Sequence, residues 1–465
     1  MNEPEYLWLD EFGDAHPLPA SVKPTELKQY LEAVWNNRHQ LYTYPETEPV
    51  PGEGKQPFLQ FDGQCIRARN YAGIIHFQGV TIYLLPKIFR GFSHPGSSNP
   101  GLKTKPEFTS TGSETEVNGA TWFFSHLHFY LSYCRHVHFP FQWQPLTTDP
   151  SDAWKYWIRL FATYTASLLH EQPYLTYQTE VTQTDYLRGK LAVQPYVNEQ
   201  LTRGQWQRLQ TEQQPFVLDN PFNRIVKYTV TRLLPLAGAE ARHSLQEILH
   251  LLSEVALIHC TPDDCNAVYL NRLYPKHQQL LDMCRFFLTA GLGGSAPDVQ
   301  SNFSFLLPME RVFEDFVAGF VQKHFPEWEA VVQKSIPLAT GSNNRTLHAR
   351  PDIWLPRHRT VLDTKYKRVD APDLLRQIPA TDIYQLFAYA VALQVPQVHL
   401  LYVSAGSFGS ETIRLLQAEH PVFIHAHTLP VVLTDAMDTF PALTLRIMEN
   451  LQKLAGNSVL SSQID

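Results

Sequence analysis

Two short apolar runs, Arg350-Pro351-Asp352-Ile353-Trp354-Leu355 and Val361-Leu362-Asp363-Thr364-Lys365-Tyr366-Lys367, flank a basic turn, Pro356-Arg357-His358-Arg359. The pattern predicts the two strands of a hairpin, and its apolar content says that both are mostly buried. Side chains alternate along a strand, so Asp363 and Lys365 point the same way, and Asp352 can meet them from the partner strand. Asp and Lys are seldom fully buried unless paired. A fold that takes in this hairpin must give its carboxylates and its ammonium a common purpose. The competing reading is a surface hairpin with ordinary charges, since a P-D-x10-D-x-K spacing also arises by chance.

The flanking segments narrow the choice. From Leu306 to Val321, apolar residues at 309, 312, 313, 316, 317, 320 and 321 have the spacing of an amphipathic helix. Glu314 sits between Phe313 and Phe316 near the edge of the apolar stripe, within reach of the hairpin as a further metal ligand; Glu310, one turn earlier, reads as a solvated face. Downstream, a helix is expected over 381–393, starting at the N-cap residue Thr381, with Gln385 and Tyr389 on one face. Packing and surface polarity explain that pair equally well; beside the hairpin they suit contact with a phosphate or a water. Carboxylates of this kind suit Mg²⁺, which prefers oxygen ligands and keeps water positions open. With a lysine added, the set fits hydrolysis of a phosphodiester.

Composition bounds the answer without naming it. A chain of 465 residues with 44% hydrophobic and 12% aromatic residues supports a large core spread over more than one domain. A net charge of −7 leaves no global basic footprint, so contact with nucleic acid has to rest on local patches or on a partner. Five irregularly spaced cysteines make no disulfide framework and suit a reducing cytoplasm. Met1-Asn2-Glu3-Pro4-Glu5 lacks the features of a signal peptide, and no apolar run is long enough for a membrane span. His259-Cys260-x4-Cys265 lacks the second ligand pair of a zinc site. His126, His128, His136 and His138 are interleaved with aromatic residues and read as part of a half-buried segment. There is no Walker sequence G-x4-G-K-S/T; the glycine cluster Thr289–Ser295 lacks its lysine.

Along the chain, residues 1–150 read as β-rich, with a loop at 45–54 and a Ser/Gly/Thr/Pro-rich flexible insertion at 91–118. Residues 151–300 read as mainly helical, with helices at 219–236, 243–257 and 271–289 and strands around Arg188-Gly189-Lys190. Arg224, Lys227 and Arg232 form either a local basic face or solvated helix charge. Residues 301–465 alternate helix, strand, strand, helix and a final strand at Val398–Val403, and the tail from Leu429 to Leu454 offers an edge strand and a closing helix. The expected class is α/β in the C-terminal part, a mixed sheet flanked by helices, within a chain that is α+β overall.

The helix with Glu314, then Pro351-Asp352, Asp363-x-Lys365 and Gln385-x3-Tyr389, resembles the PD-(D/E)xK nucleases in the subgroup with a Q-x3-Y element. Three further pieces are Arg69-Asn70-Tyr71-Ala72-Gly73-Ile74-Ile75 with Thr81–Ile88, Asp185-Tyr186-Leu187-Arg188-Gly189-Lys190-Leu191, and Asp219–Lys227. Together and in this order they resemble the McrC family, the nuclease subunits of McrBC modification-dependent restriction systems. The first sixty or so residues and 91–118 depart from the pattern. The resemblance implies a restriction-endonuclease-like fold for 301–465 and a Mg²⁺-dependent endodeoxyribonuclease, with Mn²⁺ as the alternative metal. It assigns Asp352, Asp363, Lys365 and Glu314 to catalysis, with Asp352, Asp363 and Glu314 as metal ligands. Gln385, Tyr389 and Lys367 would contact DNA or phosphate. It further implies modified double-stranded DNA as substrate, and as partner a McrB-like hexameric AAA+ GTPase stimulated through the N-terminal half. The competing readings are a stand-alone RecB-like repair or processing nuclease and a non-catalytic GTPase-activating adaptor. Intact Asp352, Asp363 and Lys365 count against the adaptor, and a relative carrying an iron–sulfur cluster fails because only Cys284 lies near the nuclease segment.

Overall fold

Ile74-Ile75 and the run Val80–Leu85 supply the buried strands around which the N-terminal sheet forms. The computed structural model describes residues 5–36, 56–89, 119–135, 153–291, 302–340, 345–367, 369, 374–405, 408–414, 421–433 and 439–460. The expected loop at 45–54, the insertion at 91–118, and His136 and His138 fall outside these residues. The chain divides into two units, residues 154–292 and the rest.

The larger unit begins with β1 (Glu5–Asp10), β2 (His16–Pro17), α1 (Pro24–Asn36), β3 (Leu59–Asp62), β4 (Cys65–Ala68), β5 (Tyr71–Phe77), β6 (Val80–Leu85) and α2 (Gly119–Leu131). β2, β4 and β3 make a small sheet. α1 contributes Leu27 and Leu31 to a core with Leu9, Phe58, Ile75 and Ile82.

The smaller unit contains α3 (Ala153–Glu171), β7 (Thr176–Tyr177), β8 (Glu180–Thr184), β9 (Lys190–Leu191), the short α4 (Val193–Pro195), β10 (Leu209–Gln213), β11 (Phe216–Val217), α5 (Pro221–Leu233), α6 (Ala239–Leu251), α7 (Pro262–Ala267) and α8 (Pro275–Gly291). Asn220 starts α5: its side chain accepts from the Asn223 backbone N–H at 3.0 Å, and Pro221 follows where no N–H is needed. The basic face considered for this helix is in part consumed internally. Arg224 forks onto Asp219, and the Lys227 ammonium donates to the carbonyls of Leu252, Ser253 and Val255.

The larger unit resumes with β12 (Phe303–Pro308), α9 (Met309–His324), β13 (Val331–Val332), β14 (Ile336–Thr340), β15 (Thr346–Ala349), β16 (Ile353–Leu355), β17 (Thr360–Lys365), α10 (Leu374–Gln377), α11 (Ala380–Leu393), β18 (Gln397–Ser404), β19 (Gly409–Arg414), β20 (Phe423–Pro430) and α12 (Phe440–Leu460). β12 completes the N-terminal sheet, in the order β1-β6-β5-β12, by pairing antiparallel with β5. At this contact Gly73 has φ +141°, and a Cβ there would stand 1.9 Å from the Phe305 carbonyl oxygen, so only glycine fits.

The second sheet has the order β13-β16-β17-β18-β20-β19, with β17, β18 and β20 parallel. The hairpin expected at 353–365 is β16 and β17, paired antiparallel as Ile353↔Leu362 and Leu355↔Thr360. The expected edge strand in the tail is corrected. β20 lies inside the sheet, between β18 and β19, because Ile424, Ala426 and Leu429 bury an apolar run. The edge is β19, whose side chains alternate between partial and full exposure. No helix among the described residues is long and apolar enough to cross a membrane.

Candidate active site

β17 places Asp363 and Lys365 on one face, opposite Leu400 and Tyr402 of β18. α11 covers this face with Leu386, Tyr389 and Ala390, which share a core with those β18 residues and Val361. Asp363 is 1% exposed. Its Oδ2 forms an ion pair with Lys365 Nζ at 2.7 Å, and among the described residues no group donates to its Oδ1.

Asp352 precedes β16, and its Oδ2 accepts from the Thr364 backbone N–H at 2.7 Å and from the Thr364 hydroxyl at 2.6 Å. Glu314 arrives from the buried stripe of α9. It accepts from Gln333 Nε2 in a short hydrogen bond and from Arg311 at 3.3 Å. Gln333 also donates its backbone N–H to the Asp352 carbonyl at 2.9 Å. It does so from a left-handed backbone with φ +50°, uncommon outside glycine.

Lys365 Nζ also donates to Gln385 Oε1 at 3.0 Å. Gln385 Nε2 donates to the Tyr389 hydroxyl at 2.6 Å, and that hydroxyl donates to the Arg350 carbonyl at 3.2 Å. Lys367 stands two residues beyond Lys365, paired with buried Asp382 at 2.8 and 3.0 Å, and the Tyr402 hydroxyl donates to the same carboxylate.

The electrostatics follow from this crowding. Burial, then the charges of Asp363 and Glu314, hold Asp352 well above the ordinary carboxyl range, although the residue keeps part of its surface accessible. Burial also raises Asp363, against the opposing charge of Lys365. Burial pulls Lys365 down, but the charges of Asp363, Asp352 and Asp382 outweigh it, and the ammonium ends above its usual value. Lys365 is therefore held as a cation, which suits offsetting phosphate charge or orienting a water better than removing a proton.

Among the described residues no three His, Cys, Asp or Glu side chains form a finished metal cage. Asp352 is turned onto Thr364, and Glu314 onto Gln333 and Arg311. The donor chemistry still fits Mg²⁺: three carboxylates repel one another, the buried Oδ1 of Asp363 has no donor among the described residues, and such a cluster favours a hard cation with waters. The cysteines differ. Burial pushes Cys260 up to about 11 and Cys265 up to about 12, so both remain protonated thiols at neutral pH. His126 is structural, its Nε2 accepting from the Leu433 N–H at 3.0 Å.

The structure thus brings Asp352, Asp363, Lys365, Glu314, Gln385 and Tyr389 into one network and sets Lys367 at its margin. Sequence reading did not single out Thr364, Gln333 or Asp382. Thr364 was within reach as the middle residue of D-x-K, whereas Gln333 has no sequence signal.

The sequence model of the family described as "McrBC 5-methylcytosine restriction system component" matches residues 66–403. The chain belongs to that family. None of the curated proteins matches it. Among solved structures, the refined half-complex from a tetradecameric assembly of Thermococcus gammatolerans McrB AAA+ hexamers with bound McrC is similar over 97% of this chain and 100% of that one, at 16% identity and a TM-score of 0.64. The cryo-EM structure of the Thermococcus gammatolerans McrBC complex is similar over 68% and 87%, at 18% identity and a TM-score of 0.47. At 16% identity the first likeness is one of fold, and it supports the α+β architecture of this family member.

Proposed function

We propose that this chain is the endonuclease subunit of a McrBC-type restriction system, cutting modified double-stranded DNA beside an AAA+ GTPase partner similar to McrB. The observation that carries the reading is the crowding of buried Asp363, whose Oδ1 has no donor among the described residues, with Asp352, Glu314 and a charged Lys365. Lys365 and Arg311 are two cations for three carboxylates, so a further cation offsets the cost of burying the cluster. Asp363 and Asp352, with Glu314, would hold Mg²⁺ or Mn²⁺, which when bound supplies Lewis acidity and a nucleophile at neutral pH. The chain's own residues do the rest. Thr364 fixes one oxygen of Asp352, Gln333 fixes Glu314, and Gln385 holds the Lys365 ammonium on the side of Asp363, where it can face a phosphate. Family membership and the absence of a Walker sequence support a separate motor protein.

The test is a reconstitution with an AAA+ GTPase similar to McrB, on methylated and unmethylated plasmid. Wild type is expected to cut the methylated DNA and to stimulate GTP hydrolysis. Asp363→Asn is expected to stimulate without cutting. Cutting by the variant at the wild-type rate overturns the site assignment. Efficient cutting by the chain alone favours the stand-alone nuclease, and stimulation without cutting by wild type favours the adaptor.

A further inference from the structure

We propose that the β14–β15 ribbon is a DNA-docking arm that lays the duplex backbone against the candidate site. The proposal rests on the reading of that site as phosphodiester-cutting. The segment Gln333–Arg350 holds Lys334, Arg345, His348 and Arg350 and no Asp or Glu, in a chain whose net charge is −7. It is a local basic element of the kind an acidic protein needs in order to attract phosphates.

The ribbon also stands in solvent. Ile336 and Ala349, paired at its root, are buried, while Lys334, Pro337–Thr340 and Arg345–His348 are exposed. Thr340 and Thr346 pair across the strands and share a face with His348, so one side is lined with hydrogen-bonding groups. Its five-residue strand extends roughly 16 Å, at about 3.3 Å per residue, and a two-stranded ribbon of this width enters a DNA major groove.

What makes the arm relevant is where it is rooted. At one end, Gln333 bonds both Glu314 and the Asp352 carbonyl; at the other, the Arg350 carbonyl accepts from Tyr389. Both strands are thus fastened to residues of the candidate site, and a duplex lying along the arm is brought to Asp363 and Lys365.

The experiment compares full-length wild type, the charge reversal Lys334→Glu/Arg345→Glu and the neutral Lys334→Gln/Arg345→Gln. Each is measured for binding of a 30-base-pair duplex from low to moderate salt, and for cleavage and GTPase stimulation with the AAA+ partner. Loss of two phosphate contacts is expected to flatten the dependence of log Kd on log salt by about 2. The cleavage KM is expected to rise about tenfold or more for the reversal and less for the neutral pair, with kcat and GTPase stimulation kept. Unchanged KM and salt slope in a reversal variant that still cuts overturn the arm and leave the nuclease reading standing. A wild type that binds through the arm but never cuts does the opposite. A wild type that holds no duplex at low salt, or a reversal that loses the AAA+ partner instead of DNA, also overturns the proposal.

Discussion

Gln333 touches no reacting group in this arrangement, yet it fixes Glu314 through its side chain and Asp352 through its backbone. Partners that orient metal-binding carboxylates are commonly worth ~10–100-fold in metal affinity or activity. Gln333→Ala is therefore expected to raise the Mg²⁺ concentration needed for half-maximal cleavage by about that factor, with partial recovery in Gln333→Glu excluded because it adds a fourth carboxylate. A metal titration of cleavage checks this. A second residue-scale prediction concerns the other face of the sheet. His399 and His427 are buried and bonded ring to ring at 3.1 Å; burial lowers His399 well below the usual range and His427 to about 3. Below about pH 6.5 the unfolded chain takes up protons that the folded chain refuses, so stability falls as pH drops, by about 1.4 kcal/mol per pH unit for each histidine. Urea unfolding at pH 7, 6 and 5 should show this slope, and His399→Leu/His427→Leu should flatten it. The candidate-site residues visible in the sequence lie on regular elements or, like Asp352, at the edge of one, where periods of 2 and 3.6 tell which side chains share a face. Gln333 and Asp382 stayed hidden because a left-handed loop position and a tertiary ion pair leave no periodic trace.

At the scale of elements, α9 carries Glu314 into place and passes so close to the end of α2 that a Cβ on Gly319 would lie 1.8 Å from the Tyr133 carbonyl oxygen. Gly319→Ala must move the helix, the overpacking case that costs about 1–3 kcal/mol. It is expected to lower the urea midpoint and, because Glu314 rides on the same helix, to reduce cleavage. An unchanged midpoint would show that the approach is not tight. α9, α11 and the β16–β17 hairpin were legible because their apolar stripes are long or their turn is marked. The β14–β15 ribbon was not, since Ile336-Pro337-Leu338-Ala339-Thr340 is short, exposed and interrupted by proline. The order of β19 and β20 was lost for a related reason: chain order says nothing of spatial order once a strand folds back outside its successor.

For the whole molecule, the decisive pairing is β12 on β5, which joins the first and last parts of the chain in one sheet. Arg135 on Asp315 and the Tyr130 hydroxyl on the Val431 carbonyl join them again. A fragment of residues 302–465 would expose Phe305 and Leu307 and strip Asp315 of Arg135, and is expected to aggregate in size-exclusion chromatography where the full chain is monodisperse; a monodisperse fragment would sink this prediction. Strand pairing across the whole middle unit was not readable in the sequence, because hydrophobic patterning marks a strand without naming its neighbour. That pairing also sets a timetable. At about 5–20 residues per second, a ribosome needs roughly 10–45 seconds to pass from β5 to β12. Throughout that interval the nascent chain carries an unfinished sheet with a bare edge, a form prone to wrong pairing. None of the residues assigned to cutting has yet been made. A message broken anywhere in the middle unit therefore yields a sticky, inert product, and the cutting residues are synthesised only as the first sheet receives its last strand.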